Sequence, residues 1–374
     1  MLSMTERTWS ARLDDARRRY SRFRGQTHAT PALLVIIFAF LAMLPILLDF
    51  WVIGLTLGSY ISTRLLILTL IWATTAQAWN MLSGFSGQFS FGHAAFFGLG
   101  AYVTIILARE FALNPWIGIF FASAVAGLYG LFIGVLLFRF DLKGHYFALA
   151  TLAFAELLRA TFRTIDFLGG ASGFFRPLPG TYADDYGLIA FQFQSQLPYY
   201  YVILAFLIIV TLVSLAIRES RLGMYLFAIR ENENSALAVG IPTFRYKLVA
   251  YGTSAFFTAW GGAFWAFYFV TIQPDTVFDI IVNVEILLPA IVGGLGTVIG
   301  PILGALFVFP AADIFRQVVD VPGLGNVFYG IVLIIIVLYS PKGLVSWPGK
   351  FFELLARYGP YDSEIKTDED DDEQ

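Results

Sequence analysis

The stretch from Leu82 to Tyr102, LSGFSGQFSFGHAAFFGLGAY, constrains this chain more than any other. It sits in strongly apolar sequence, yet Gly84, Gly87, Gly92, Gly98 and Gly100 interrupt it, and Gln88, Ser90 and His93 stand among the glycines. Hydrocarbon pairs with no backbone N–H or C=O, and each group left unpaired there costs several kcal/mol. Glycine-rich, polar backbone at membrane depth is tolerated only where it is buried in protein or lines a water-filled path. A plain anchor has no use for such a segment; a transporter or channel does.

The rest of the chain agrees with a membrane setting. Of 374 residues, 58% are hydrophobic and 14% charged, with mean hydropathy +0.72, whereas soluble domains carry about 25% charged residues. There is no cysteine, which excludes disulfides and thiolate metal sites. His28, His93 and His145 are far apart and no HExxH occurs, so neither a metal site nor another cofactor is expected. The first apolar run begins about 30 residues in, without a small-residue cleavage pattern, and reads as a retained span.

A transmembrane helix needs about 20 mostly apolar residues. Candidate spans are 32–50, 65–82, 89–107, 115–138, 145–162, 198–217, 248–271, 285–309 and 326–340. The expected fold is an all-α polytopic integral membrane protein. It has about eight to ten transmembrane or half-membrane helices, because several spans are short or interrupted by Gly and Pro. The segments 89–107 and 285–309 look like counterparts: the second contains VGGLGTVIGPILGA, with Gly293, Gly294, Gly296, Gly300 and Gly304. Broken helices in corresponding positions of an internal pseudo-repeat mark a transporter. The same glycines also suit close helix packing, and the two readings are compatible.

Charge gives the orientation. With the arm 1–30 (seven Arg, three acids) placed in the cytoplasm, the loops 139–144 and 218–247 and the segment from Lys342 fall on the same side. That side then holds 18 of the 24 basic residues. The topology closes if 285–309 is a re-entrant pair that turns near Gly294–Gly296. The domain plan is a basic cytoplasmic arm (1–30), a permease domain (31–345) with a cytoplasmic segment at 218–247, and a cytoplasmic tail (346–374) that ends in an acidic run.

Within 218–247, Leu222, Tyr225, Leu226 and Ile229 recur at helical spacing on one face. Asn232 is placed to cap a second short helix that ends at Gly240, with Pro242 just beyond. Two short amphipathic helices facing water suggest a partner protein; a helix lying flat on the lipid surface is the alternative, disfavoured by the mixture of acids and bases. The outer loop 163–197, rich in Gly and Pro and carrying Asp184 and Asp185, is long enough to be a docking surface.

Enzymatic chemistry finds no support. No GxxxxGK[ST] is present, so the chain does not itself cradle nucleotide phosphates. Glu156 lies in a span but has Arg159 three residues on, which favours an intrahelical pair over ion coupling. His93, alone among Gly and Ala, reads first as a hydrogen-bonded packing residue, whereas Gln88 and Ser90 suit helix-to-helix bonding and solute contact equally.

The Leu82–Tyr102 stretch resembles the glycine-rich signature of LivM-like permease subunits of branched-chain amino-acid ABC importers. The resemblance continues, in order, through KGHYFALATLAFAELLR (143–159), LGGASGF (168–174), SRLGMYLFAIRENENSALAVGIPTFRYKLVAY (220–251), VGGLGTVIGPILGA (292–305) and SPKGL (340–344). It implies a non-enzymatic inner-membrane subunit paired with a LivH-like permease, driven by two cytoplasmic ATP-binding subunits and fed by a periplasmic binding protein. The segment 221–247 then corresponds to the ATPase coupling loop, with Arg221, Leu222, Tyr225, Leu226, Ile229, Arg230, Glu233 and Gly240 as coupling residues. It departs from the EAA loop of other importers, because ENENSALAV precedes Gly240. Gln88, Ser90, His93, Glu156, Gly293 and Gly294 are the candidates for path or gating; Gly84, Gly87, Gly92, Gly296 and Gly300 are the helix-break glycines. A urea or amide ABC permease is the nearest alternative, and an ion-coupled carrier or a passive small-solute channel are the more distant ones.

Overall fold

The computed structural model describes residues 31–47, 62–176, 187–269, 271–319 and 343–346, with scattered helical positions between 327 and 338. The basic arm, the acidic tail, Asp184, Asp185 and most of the expected last span lie outside the described residues. The chain divides into two units, Met1–Ser59 and Tyr60–Gln374. In the first, the described residues form helix α1 (Pro31–Leu47). All that follows concerns the second.

Its helices are α2 (Thr63–Ser86), α3 (His93–Glu110), α4 (Pro115–Arg139), α5 (Gly144–Thr164), α6 (Gln196–Glu219), α7 (Arg221–Glu231), α8 (Glu233–Ala238), α9 (Thr243–Tyr268), α10 (Pro274–Val277), α11 (Ile280–Gly293) and α12 (Gly300–Val319). Their starts carry local caps. Ser62 accepts from the Leu65 amide at 3.2 Å, Asn114 from Trp116 at 2.9 Å ahead of Pro115, and Asp279 from Ile281 at 2.8 Å. Among the described residues, α2, α4, α6 and the run Pro274–Gly293 are long and apolar enough to cross a membrane. With 26 residues, α9 is about 39 Å long, a sufficient length to cross as well.

Helix α9 is the hub, against which α2, α3 and α4 pack. The α3–α9 crossing is close because a side chain at Gly100 would collide with the Ala259 backbone, and one at Gly262 with the Phe97 carbonyl. Helices α11 and α12 pack on each other and on α2. The expected span 285–309 is thus two helices joined by a turn at 294–299, while the expected span 89–107 begins late: residues 87–92 are not helical, and α3 starts at His93.

Contacts sort the loops into two ends. At one, Lys143 lies 3.7 Å from Glu233, and a side chain at Gly343 would meet Gly294. At the other, Arg64 lies over the Phe269 ring (5.8 Å), Arg109 over Phe174 (5.1 Å), and Trp116 Nε1 donates to the Leu188 carbonyl at 2.6 Å. Strand β1 (Phe174–Phe175) pairs antiparallel there with β2 (Thr271–Ile272).

Candidate functional site

The break after α2 is a reversal. Gly87 takes φ +72°, which glycine adopts without strain, and the chain runs back along the helix it has just left. Ser83 Oγ donates to the Gln88 carbonyl at 2.8 Å and Trp79 Nε1 to the Ser90 carbonyl at 2.8 Å. Since Trp79 lies seven residues before Ser86, α3 starts about 10 Å inside the end of α2. Distant side chains serve two more groups: the Phe91 amide donates to Thr151 Oγ1 at 3.0 Å and the Ala94 amide to Asn283 Oδ1 at 2.8 Å. At these points the non-helical backbone is paired inside protein, as hydrocarbon demands.

His93 is fully buried and joins three helices. Ser254 Oγ gives its proton to the Ala78 carbonyl at 2.7 Å, so at 2.7 Å from His93 Nε2 it accepts. Nδ1 then holds the lone pair that faces Ser90 Oγ at 3.2 Å. Both ring nitrogens are committed to structure. Gln88 differs: its side chain is largely buried and its Oε1 lacks a partner among the described residues. Gln77, in the middle of α2, is fully buried, and neither amide atom is paired among the described residues.

The second break is clamped by one amide. Asn80 Oδ1 accepts from the Gly296 amide at 2.8 Å and its Nδ2 donates to the Thr297 carbonyl at 2.9 Å. Thr297 Oγ1 donates to the Gly294 carbonyl at 2.8 Å and accepts from the Gly300 amide at 3.0 Å. A side chain at Gly293 would strike the Gly300 carbonyl, so the two helices meet at van der Waals distance.

Arg230 of α7 joins both breaks. Its Nη1 donates to the Gly84 carbonyl at 2.5 Å, one of the carbonyls that the end of α2 leaves free. A Cβ at Gly87 would stand 3.1 Å from Arg230 Cγ, and one at Gly296 would collide with Nη1. Phe227 stacks obliquely on Phe85 at 5.4 Å. Gly84, Gly87, Gly296 and Arg230, picked out for separate reasons in sequence, are thus one cluster.

Helices α7 and α8 are held by their own caps. Ser220 accepts from the Gly223 amide at 3.4 Å, Asn232 from Ser235 at 2.9 Å, and Gly240, at φ +85°, closes α8. Glu233 forms a buried ion pair with Lys247, whose ammonium also lies 4.8 Å from the Phe138 ring centroid. Lys143, whose pKa is raised first by its hydrogen bond to Asp141 and also by the charge of Glu233, completes the group.

The apolar face expected to meet a partner needs correction. Leu226 and Ile229 are 0% and 3% exposed and belong to the interior, where α7 packs on α2, α6 and α9; Leu222 and Tyr225 are half-buried, with Tyr225 against Tyr246 at 4.8 Å. The periodicity marked the face toward the rest of the chain. What α7 and α8 expose is Met224, Leu237 and Val239, with Arg221 and Glu231 beside them.

Glu156 stands apart from the cluster. It is half-exposed at the opposite end, 3.4 Å from Arg159, which also reaches Asp275 (3.0 Å) and Asp279 (3.7 Å) and so ties α5 to the start of α11. Sequence reading missed Asn80, Thr151, Ser254 and Asn283. Each is a polar residue in or beside an apolar stretch, a signal that was available.

The profile of the family described as "Branched-chain amino acid transport system / permease component" matches residues 61–337. The chain belongs to that family. Its relatives include the high-affinity branched-chain amino acid transport system permease proteins LivM of Escherichia coli K12 and Salmonella typhimurium LT2, 24% and 23% identical over 297 residues. Each alignment covers 74% of this chain and 68% of the relative. A probable branched-chain amino acid transport permease protein LivM of Methanocaldococcus jannaschii is 25% identical over 277 residues, covering 67% of this chain and 77% of the relative. No solved structure gives a significant match. The matched range holds both helix breaks, α7 and α8, so the cluster around Arg230 lies wholly inside the permease unit.

Proposed function

We propose that this chain is the LivM-like subunit of an ATP-driven importer of branched-chain amino acids. It pairs with a LivH-like permease, takes substrate from a periplasmic binding protein, and rests on two cytoplasmic ATP-binding subunits. The α7–α8 end, with the loop 139–144, faces the cytoplasm, and the end with Arg64, Arg109 and Arg176 faces outward; the Lys/Arg bias supports this orientation. Met224, Leu237 and Val239 form the surface on which the ATPase docks. Its movement passes through α7 and Arg230 to the end of α2 and the 294–299 turn, and so to the walls around Gln77 and Gln88. The single observation that carries this reading is the Arg230 contact with both helix breaks. The experiment is uptake of labelled L-leucine into proteoliposomes that hold the assembled complex. Uptake should require ATP on the α7 side and binding protein on the other; uptake driven by an ion gradient without ATP refutes the reading.

A further inference from the structure

A cavity of about 320 Å³ opens at the end opposite α7, lined by Arg64, Arg176, Gln194, Gln196, Tyr199 and Tyr268 among others. That volume is the share of about ten waters. Its walls contain no Asp or Glu among the described residues. Arg176 Nη1 donates to the Phe267 carbonyl at 2.7 Å and to Tyr199 Oη at 3.1 Å, while its buried Nε has no partner among the described residues. Tyr199 Oη accepts a second bond from the Phe193 amide at 3.2 Å, which leaves its own proton to give. Arg64 has no ion pair among the described residues and leans on Phe269. Ser195 starts α6 at the same wall without capping it by its side chain.

Among the described residues, donors therefore outnumber acceptors, and the two positive charges have no acidic partner. A planar guanidinium with a free N–H beside a second guanidinium suits a carboxylate or phosphate. We infer that this cavity binds an oxyanion, the carboxylate of an arriving small solute. The assignment of the solute rests on the importer reading; the oxyanion site does not.

The native chain has no cysteine, so Gln194→Cys gives a single reporter in the cavity wall. The complex is purified in dodecyl maltoside and the rate of maleimide labelling is measured. Isovalerate and L-leucine should slow labelling several-fold, and leucinol, which lacks the carboxylate, should not. Arg64→Gln should abolish the protection; because Arg64 is exposed and makes no hydrogen bond among the described residues, folding should survive. Arg176→Lys, which keeps charge but loses the fork, should weaken it. Protection by added phosphatidylglycerol and by neither carboxylate would keep the oxyanion site and assign it to a lipid headgroup. Equal protection by leucinol, protection that persists in Arg64→Gln, or no protection by any probe overturns the proposal. Carboxylate protection in a complex that fails to import leucine would refute the importer reading alone.

Discussion

Arg230 Nη1 lies 2.5 Å from the carbonyl oxygen of Gly84, joining the last turn of α7 to the last turn of α2. A cation at a helix C-terminus is favourable both as a hydrogen-bond donor and against the helix dipole. Arg230→Ala should therefore cost about 1–2 kcal/mol of local stability. Its larger effect should be functional: ATP hydrolysis persists, but leucine uptake per ATP falls steeply. Arg230→Lys should recover part of it. Uptake and hydrolysis assayed on the same proteoliposomes decide the matter.

Gly296 holds φ +77° and leaves no room for a side chain beside Arg230. Gly296→Ala should abolish uptake while the protein still inserts. Shortening the neighbour, Arg230→Ser, should recover part of the lost stability, because it removes the clash with Nη1 but leaves the close approach to the Gly84 carbonyl and a backbone strain of about 1 kcal/mol. A double-mutant cycle read by thermal unfolding should show coupling between the two positions.

The buried Glu233–Lys247 pair makes another test. Removing one partner of a buried pair strands a charge and costs about 3–5 kcal/mol, whereas removing both costs much less. Glu233→Gln should loosen α8 and speed proteolysis within 232–243. Glu233→Gln combined with Lys247→Met should be the milder change.

Docking should depend on residues that face away from the bundle. Met224→Asp with Val239→Asp should release the ATP-binding subunits while the permease stays folded, since interface anchors contribute about 2 kcal/mol or more each. Leu226→Asp should instead unfold α7, as it buries a charge without a partner. Co-purification alongside permease yield separates the two outcomes.

Orientation has a direct check. Ser235 and Ser172 are both exposed, at opposite ends of the fold. In intact cells, an impermeant thiol reagent should label Ser172→Cys and spare Ser235→Cys.

Much of this was legible in the chain. Span positions follow from apolar length, and α8 between Asn232 and Gly240 follows from cap chemistry, because both are local properties. The direction in which α7 turns its apolar face was not legible: periodicity says that Leu226 and Ile229 share a face, but not whether that face meets another chain or this one. Nor could the partners of the broken segments be read. Asn80 meets Gly296 across 216 residues and Arg230 meets Gly84 across 146, and no local rule spans such distances. Glu156 with Arg159 was readable as a pair, yet its extension to Asp275 was not, for the same reason.

The reversal at 87–92 also sets an order on biosynthesis. Two of its backbone partners, Trp79 and Ser83, have already been made when it leaves the ribosome. Thr151 comes 60 residues after the Phe91 amide it serves, Ser254 comes 161 after His93, and Asn283 comes 189 after Ala94. Until α11 exists, this stretch has polar backbone and an imidazole that lipid will not accept. The reversal therefore completes its pairing only after about three quarters of the chain has been translated.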